Sequence, residues 1–235
     1  DPPKILTGAG VVNFGETVSF DGDTVLFGAP KSSKSEIGGS VYVYRYDSSA
    51  GYFSFEESLY PQFPTEDMEF GGSISISGDW VIVGAMGSPW NSNGEECATI
   101  FHRSSQAASG SVWTRINTLT PDDGESGASF SSSVAMGTGI AIVGNARDSG
   151  AGIWSGSCVT YLYASTANQW VRDATIRSES LGSLGLLGSS TAIDGGLLVA
   201  GAMGGSLPEQ GSSGGYGPGV VIAYTRDADG MWQSD

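Results

Sequence analysis

The sequence predicts an all-β fold, a β-propeller of four-stranded antiparallel blades. Three observations predict it. One motif recurs four times, its apolar residues alternate or cluster between turn residues, and no stretch carries a capped helical period. The copies are "FGETVSFDGDTVLFGAP" from Phe14, "FGGSISISGDWVIVGAM" from Phe70, "FSSSVAMGTGIAIVGNA" from Phe130 and "LGSSTAIDGGLLVAGAM" from Leu187. They align without gaps and return about every 57 residues, a period that marks propellers, solenoids and arrays.

Each unit reads as four strands in turn. The first alternates apolar with small polar residues: Val18 and Phe20, Ile74 and Ile76, Val134 and Met136, Thr191 and Ile193. Such period-two alternation places one side chain in every two on a single face. The turns "DGDT", "SGDW", "GTGI" and "DGGL" follow, rich in the Gly and Asp that accept the positive φ of a tight hairpin. The second strand is a continuous apolar run, "VLF", "VIV", "AIV" or "LVA", which implies cover on both faces. It closes on Gly28, Gly84, Gly144 or Gly201.

The third strand begins at Gly39, Cys97, Cys158 or Gly219 and is rich in β-branched and aromatic residues. The fourth opens on an aromatic and ends on an aliphatic: Phe53 and Leu59, Trp113 and Leu119, Trp170 and Ile176. A four-stranded meander cannot bury both faces alone, and packing copies radially solves that. A flat stack of meanders is the other arrangement such repeats can adopt.

A single domain over 1–235 is expected, with repeats at about 14–69, 70–129, 130–186 and 187–235. Trp232 opens an outer strand close to the last residue, and Ile5 with Leu6 resembles the end of one. Residues 1–13 are therefore expected to complete the outer strand and clasp a ring. Two readings stay open: a closed four-bladed ring, or part of a larger, for example seven-bladed, ring. The chain starts at Asp1 rather than Met, so a processed N-terminus or a longer parent chain is expected.

Composition narrows the function classes. The net charge of −15 and the absence of any Lys/Arg cluster argue against nucleic acid and anionic membranes as partners. No apolar run reaches the ~18 residues of a membrane-inserted helix. The 37 glycines belong with many turns, because apolar residues still make up 39% of the chain.

Catalytic signatures are weak. His102 is the one histidine, and no G-x-S-x-G turn is present to carry a nucleophile. "DADG" at Asp227–Gly230 offers Asp227 and Asp229 as weak cation ligands in an outer hairpin, otherwise a turn. Cys97 and Cys158 open equivalent third strands. An even cysteine count in a secreted chain favours a disulfide, whereas equivalent side chains on facing sheets about 10 Å apart disfavour one. Both alternatives stand. Trp90, Trp154 and Tyr216 lie in loops after the second strand. Such loops gather on one face, where aromatics can stack on sugars or anchor a protein.

The motif at Phe14–Pro30, with "FG" and "GAP" intact, resembles the FG-GAP repeat of integrin α-subunit propellers, and more closely the variant of bacterial and algal secreted proteins. The later copies drift: Met86 and Met203 stand in place of proline, Asn145 and Ala146 in place of "AP", and Leu187 in place of Phe. The resemblance implies an extracellular interaction, adhesion or structural assembly module, non-enzymatic, with a protein partner. Integrin-type blades often carry a D-x-D-x-D-G calcium loop between the first two strands. The turns here are too short and too poor in acids for it, so the family's calcium loop and a cofactor are not expected, with calcium at another site the open alternative. Two alternatives remain: a carbohydrate-binding propeller using the loop aromatics, and a lyase or hydrolase with a site in the central channel.

Overall fold

The computed structural model describes residues 6–7, 11–31, 38–65, 67–87, 96–104, 111–122, 129–205 and 217–234. Most of the segment expected to clasp the ring, 1–5 and 8–10, lies outside them. The strands fall into four antiparallel sheets, each a simple meander. Sheet one comprises β1 (Thr17–Asp21), β2 (Thr24–Ala29), β3 (Ser40–Asp47) and β4 (Tyr52–Leu59). Sheet two comprises β5 (Phe70–Ser77), β6 (Trp80–Ala85), β7 (Cys97–Arg103) and β8 (Trp113–Leu119). Sheet three comprises β9 (Phe130–Gly137), β10 (Ile140–Asn145), β11 (Ser157–Ala164) and β12 (Gln169–Ile176). Sheet four comprises β13 (Leu187–Asp194), β14 (Leu197–Ala202), β15 (Val220–Arg226) and β16 (Trp232–Ser234). The one helical element among the described residues is a single 3₁₀ turn at Glu179–Leu181.

The sheets pack face to face in sequence. One core, with Leu26, Val41 and Val43 against Phe70, Val81 and Val83, joins sheets one and two. A second joins Ile82 and Ile100 to Phe130, Val143 and Trp170. A third joins Ile142 and Cys158 to Leu187, Leu198 and Tyr224. Full burial of each large apolar side chain is worth about 1.5–3 kcal/mol, so these three cores carry most of the stability. The recurring outer-strand tryptophans serve them: Trp113 and Trp170 are buried, and Trp232 packs half-buried on the third.

The motif's spelling has a physical cause at each junction. The residue after the anchor takes a positive φ: 95° at Gly71, 64° at Ser131 and 87° at Gly188. This turns its carbonyl toward the preceding sheet. A Cβ added at Gly28, Gly84 or Gly144 would collide with the carbonyl of Gly71, Ser131 or Gly188 respectively. The glycine ending the second strand is thus the seat for the next sheet's "FG" turn. A hydroxyl on the first strand ties the contact. Thr17 Oγ1 donates to Gly71 O at 2.6 Å, Ser73 Oγ to Ser131 O at 2.8 Å, and Ser133 Oγ to Gly188 O at 2.9 Å.

Charged and aromatic groups finish the outer rim. Arg103 reaches Glu56 at 2.6 Å, Trp113 Nε1 donates to the same carboxylate at 2.9 Å, and Arg226 meets Asp173 at 3.2 Å across the third junction. At the second junction Trp80 instead stacks with Tyr163 and Trp170, at centroid distances of 4.6 and 5.2 Å.

One expectation needs correction. The strand register pairs Ala85 with Cys97 but Gly144 with Cys158, so the cysteines are one position out of step and not equivalent. A one-residue step reverses the face a side chain occupies. Cys97 therefore lies in the core against sheet one and Cys158 in the core against sheet four. They point away from each other, and no disulfide joins them. Burial pushes the Cys158 thiol up to about 12, which makes it inert at neutral pH. The four sheets form a four-bladed propeller-like arrangement, and among the described residues no core joins sheet one to sheet four.

The Gly144→Ala variant is expected to lose about 1–3 kcal/mol, the cost of forcing a methyl group into a packed contact. Urea unfolding monitored by tryptophan fluorescence checks it.

Candidate functional site

The loop from Ala146 to Gly156, between β10 and β11, is described throughout. Asn145 O accepts the Asp148 N–H at 3.1 Å, which turns the chain as β10 ends. The Asp148 carboxylate then holds the loop, accepting from Gly150 N at 3.0 Å and from Arg177 Nε at 2.7 Å. Burial pushes the Asp148 carboxyl up, but the Arg177 hydrogen bond, the Gly150 amide and the Arg177 charge together hold it below its ordinary value of 3.8. Leu184 N donates to Ile153 O and Leu186 N to Trp154 O, at 2.7 and 3.0 Å, so the loop is strapped to the entry of sheet four.

These bonds fix Trp154. It sits at φ 51°, its N–H donates to Ser149 Oγ at 3.1 Å, and its side chain is 42% exposed. The Arg147 guanidinium lies over its ring at 5.5 Å, a cation–π contact worth about 0.5–1 kcal/mol at an exposed site. The two residues border a cavity of about 360 Å³. Met86 from sheet two, Leu186 and Met203 from the two ends of sheet four's first hairpin, and the serines 129, 132 and 189 complete its lining. Among the described residues Arg147 is its one ionisable lining group. The cavity thus offers an aromatic plane, flexible thioethers, hydroxyls and one positive charge on a strongly acidic chain. Cavities of this size and lining recognise a ligand by a broad apolar contact and a few directional polar groups.

The residues singled out in the sequence are dispersed. Trp154 lines the cavity, whereas Trp90 and Tyr216 lie outside the described residues. Asp227 organises the β15–β16 hairpin. Its Oδ1 accepts from Asp229 N at 3.0 Å and Met231 N at 2.8 Å, and its Oδ2 from Gln233 Nε2 at 3.3 Å. The Met231 amide is the largest influence holding that carboxyl below its usual range. Among the described residues no three His, Cys, Asp or Glu side chains gather to hold a metal ion. His102 packs on Trp80, centroids 4.3 Å apart. Arg147, Met86 and Met203 were missed as site residues. Their signal was the drift from "GAP", since Met86 and Met203 replace its proline and Arg147 follows "NA".

Comparison with known families decides the repeat class: residues 113–163 match the model of the FG-GAP repeat. The segment 113–163 is similar to this repeat. The match runs from the outer strand of sheet two through the third strand of sheet three, so it crosses one complete blade junction. No curated protein matches the chain. The matched repeat lies within four propeller-like sheets, and no described helix is long and apolar enough to cross a membrane.

Asn145, at the base of the loop, is fully buried, and neither amide atom has a partner among the described residues. Alanine stands at its equivalents 29, 85 and 202. Asn145→Ala is expected to raise stability by about 1–3 kcal/mol, the cost of an unsatisfied buried polar group. Thermal and urea unfolding read it directly. Asp148→Asn should destabilise. Because the folded carboxyl titrates below its unfolded value, the wild-type advantage is present above pH 3.8 and fades as pH falls through the folded value. Unfolding free energies compared between neutral and acid pH should therefore converge.

Proposed function

We propose that the protein is a non-enzymatic extracellular interaction module that engages a protein partner at the loop face, with Trp154 as the anchor and Arg147 as the orienting charge. One observation carries this reading: a half-exposed tryptophan is held in a fixed orientation by strapped backbone and capped by a guanidinium. Tryptophan and arginine are the residue types that most often dominate binding energy, since each contributes large contact area with one directional polar group. The FG-GAP repeat supports the class of function.

A second reading has its own support. The exposed indole beside three serines is also the surface on which a sugar ring stacks and hydrogen-bonds.

Binding of the labelled protein to arrays of extracellular proteins and of glycans tests both readings. Trp154→Ala and Arg147→Ala should each weaken capture of a protein ligand about tenfold or more, the loss of about 1.4 kcal/mol at a central contact. Retention on glycans that Trp154→Ala abolishes would favour the sugar reading instead. Capture unaffected by both substitutions would refute a role for this cavity.

A further inference from the structure

The outward faces of sheets one and four are made to fit each other. Sheet one presents Val18 and Phe20 outward, with Phe27, Tyr44 and Phe55 beside them in an edge-packed aromatic row. The equivalent positions in the next two sheets are core. Phe20 is 76% exposed, whereas Ile76 and Met136 are 7% and 5% exposed against the preceding sheet. Sheet four shows the converse. Val221 is 72% exposed, whereas its equivalents Val41, Ala98 and Cys158 are fully buried by the following sheet. Both surfaces thus carry the chemistry of a blade junction.

The hydrogen-bonding groups match as well. At the first junction Thr17 donates to Gly71 O, and Asp21 Oδ2 accepts from Gly78 N at 2.6 Å. Sheet four keeps a hydroxyl and a carboxylate at these positions, Ser190 and Asp194, both exposed. Sheet one keeps the complementary glycines, Gly15 and Gly22, both exposed and both at positive φ. Gly201 completes the seat. A Cβ there would meet only Ser190, whereas at Gly28, Gly84 and Gly144 it would meet the next sheet's carbonyl. Around Gly201 lies a groove of about 460 Å³, lined by Ser189, Ser190, Met203, Gly219 and Val221. It occupies the place that an "FG" turn fills at the three internal junctions.

We propose that a second copy of this chain docks there head to tail, its Phe14–Gly15 turn seated at Gly201 and its sheet-one face covering Val199, Val221 and Ala223. The contact continues the junction built three times within the chain, with the hydroxyl-to-carbonyl bond and apolar positions of all three and the carboxylate-to-glycine bond of the first. It is heterologous, so each copy uses a different face. Two such junctions close a ring of two chains, and a mismatch in curvature yields an open filament.

Sedimentation of the 235-residue chain against concentration is the test, with folding of every variant checked by circular dichroism. Wild type is expected to form dimers or longer assemblies. Phe20→Glu alone and Val221→Glu alone should each be monomeric, both changes lying at exposed positions. Mixing the two variants should restore a one-to-one dimer, because the mixture keeps one intact pair of faces. Gly201→Ala should leave the monomer folded and abolish assembly. A wild type that stays monomeric at every concentration, assembly that survives the single substitutions, or a mixture that stays monomeric would each overturn the proposal. A monomeric wild type would leave the faces to a sheet of another chain or segment.

Discussion

The architecture depends on one steric constraint: a backbone carbonyl from each blade lies where a methyl group of the preceding blade would otherwise be. At Gly28, Gly84 and Gly144 only a hydrogen atom leaves room for it. The constraint couples two parts of the motif that lie on different blades. The residue after the aromatic anchor must adopt the left-handed region to aim its carbonyl, and the glycine closing the previous second strand must receive it. Both are glycine at the first and third junctions. Ser131 holds φ 64° at the second, a conformation that non-glycine residues occupy at some cost, so packing there outweighs local preference.

Around that contact the junctions differ in chemistry while keeping the same geometry. Partly buried ion pairs, Arg103 with Glu56 and Arg226 with Asp173, close the rim of the first and third. The second uses Trp80, Tyr163 and Trp170, packed edge to face or tilted. A charged pair gains from low dielectric only after paying desolvation, so the aromatic solution is energetically comparable. This interchange explains why outer-strand positions vary between repeats while the glycine positions do not.

Much of the fold was legible because the repeat fixes register. Alternation at Val134 and Met136, the turn glycines and the apolar second strands each point to the strands found there. Strand three was legible in type but not in register. Taking Cys97 and Cys158 as the first residues of equivalent third strands put them in step, and only the ladder, which pairs Ala85 with Cys97 and Gly144 with Cys158, shows the offset. Loops of different length hide such a slip from a linear reading. Trp154 was legible as a loop aromatic. Arg147 and the two methionines were not, because their convergence depends on three blades meeting, which no local pattern encodes.

Each sheet leans only on its immediate neighbours, through a joint whose two halves are carried by every copy. The architecture is consequently indifferent to how many copies are strung together. A duplication or deletion of one whole unit at the genetic level would bring its own glycine seat and its own carbonyl. Lineages could therefore lengthen or shorten the array without redesigning any interior, while the connections at its rim diversified independently.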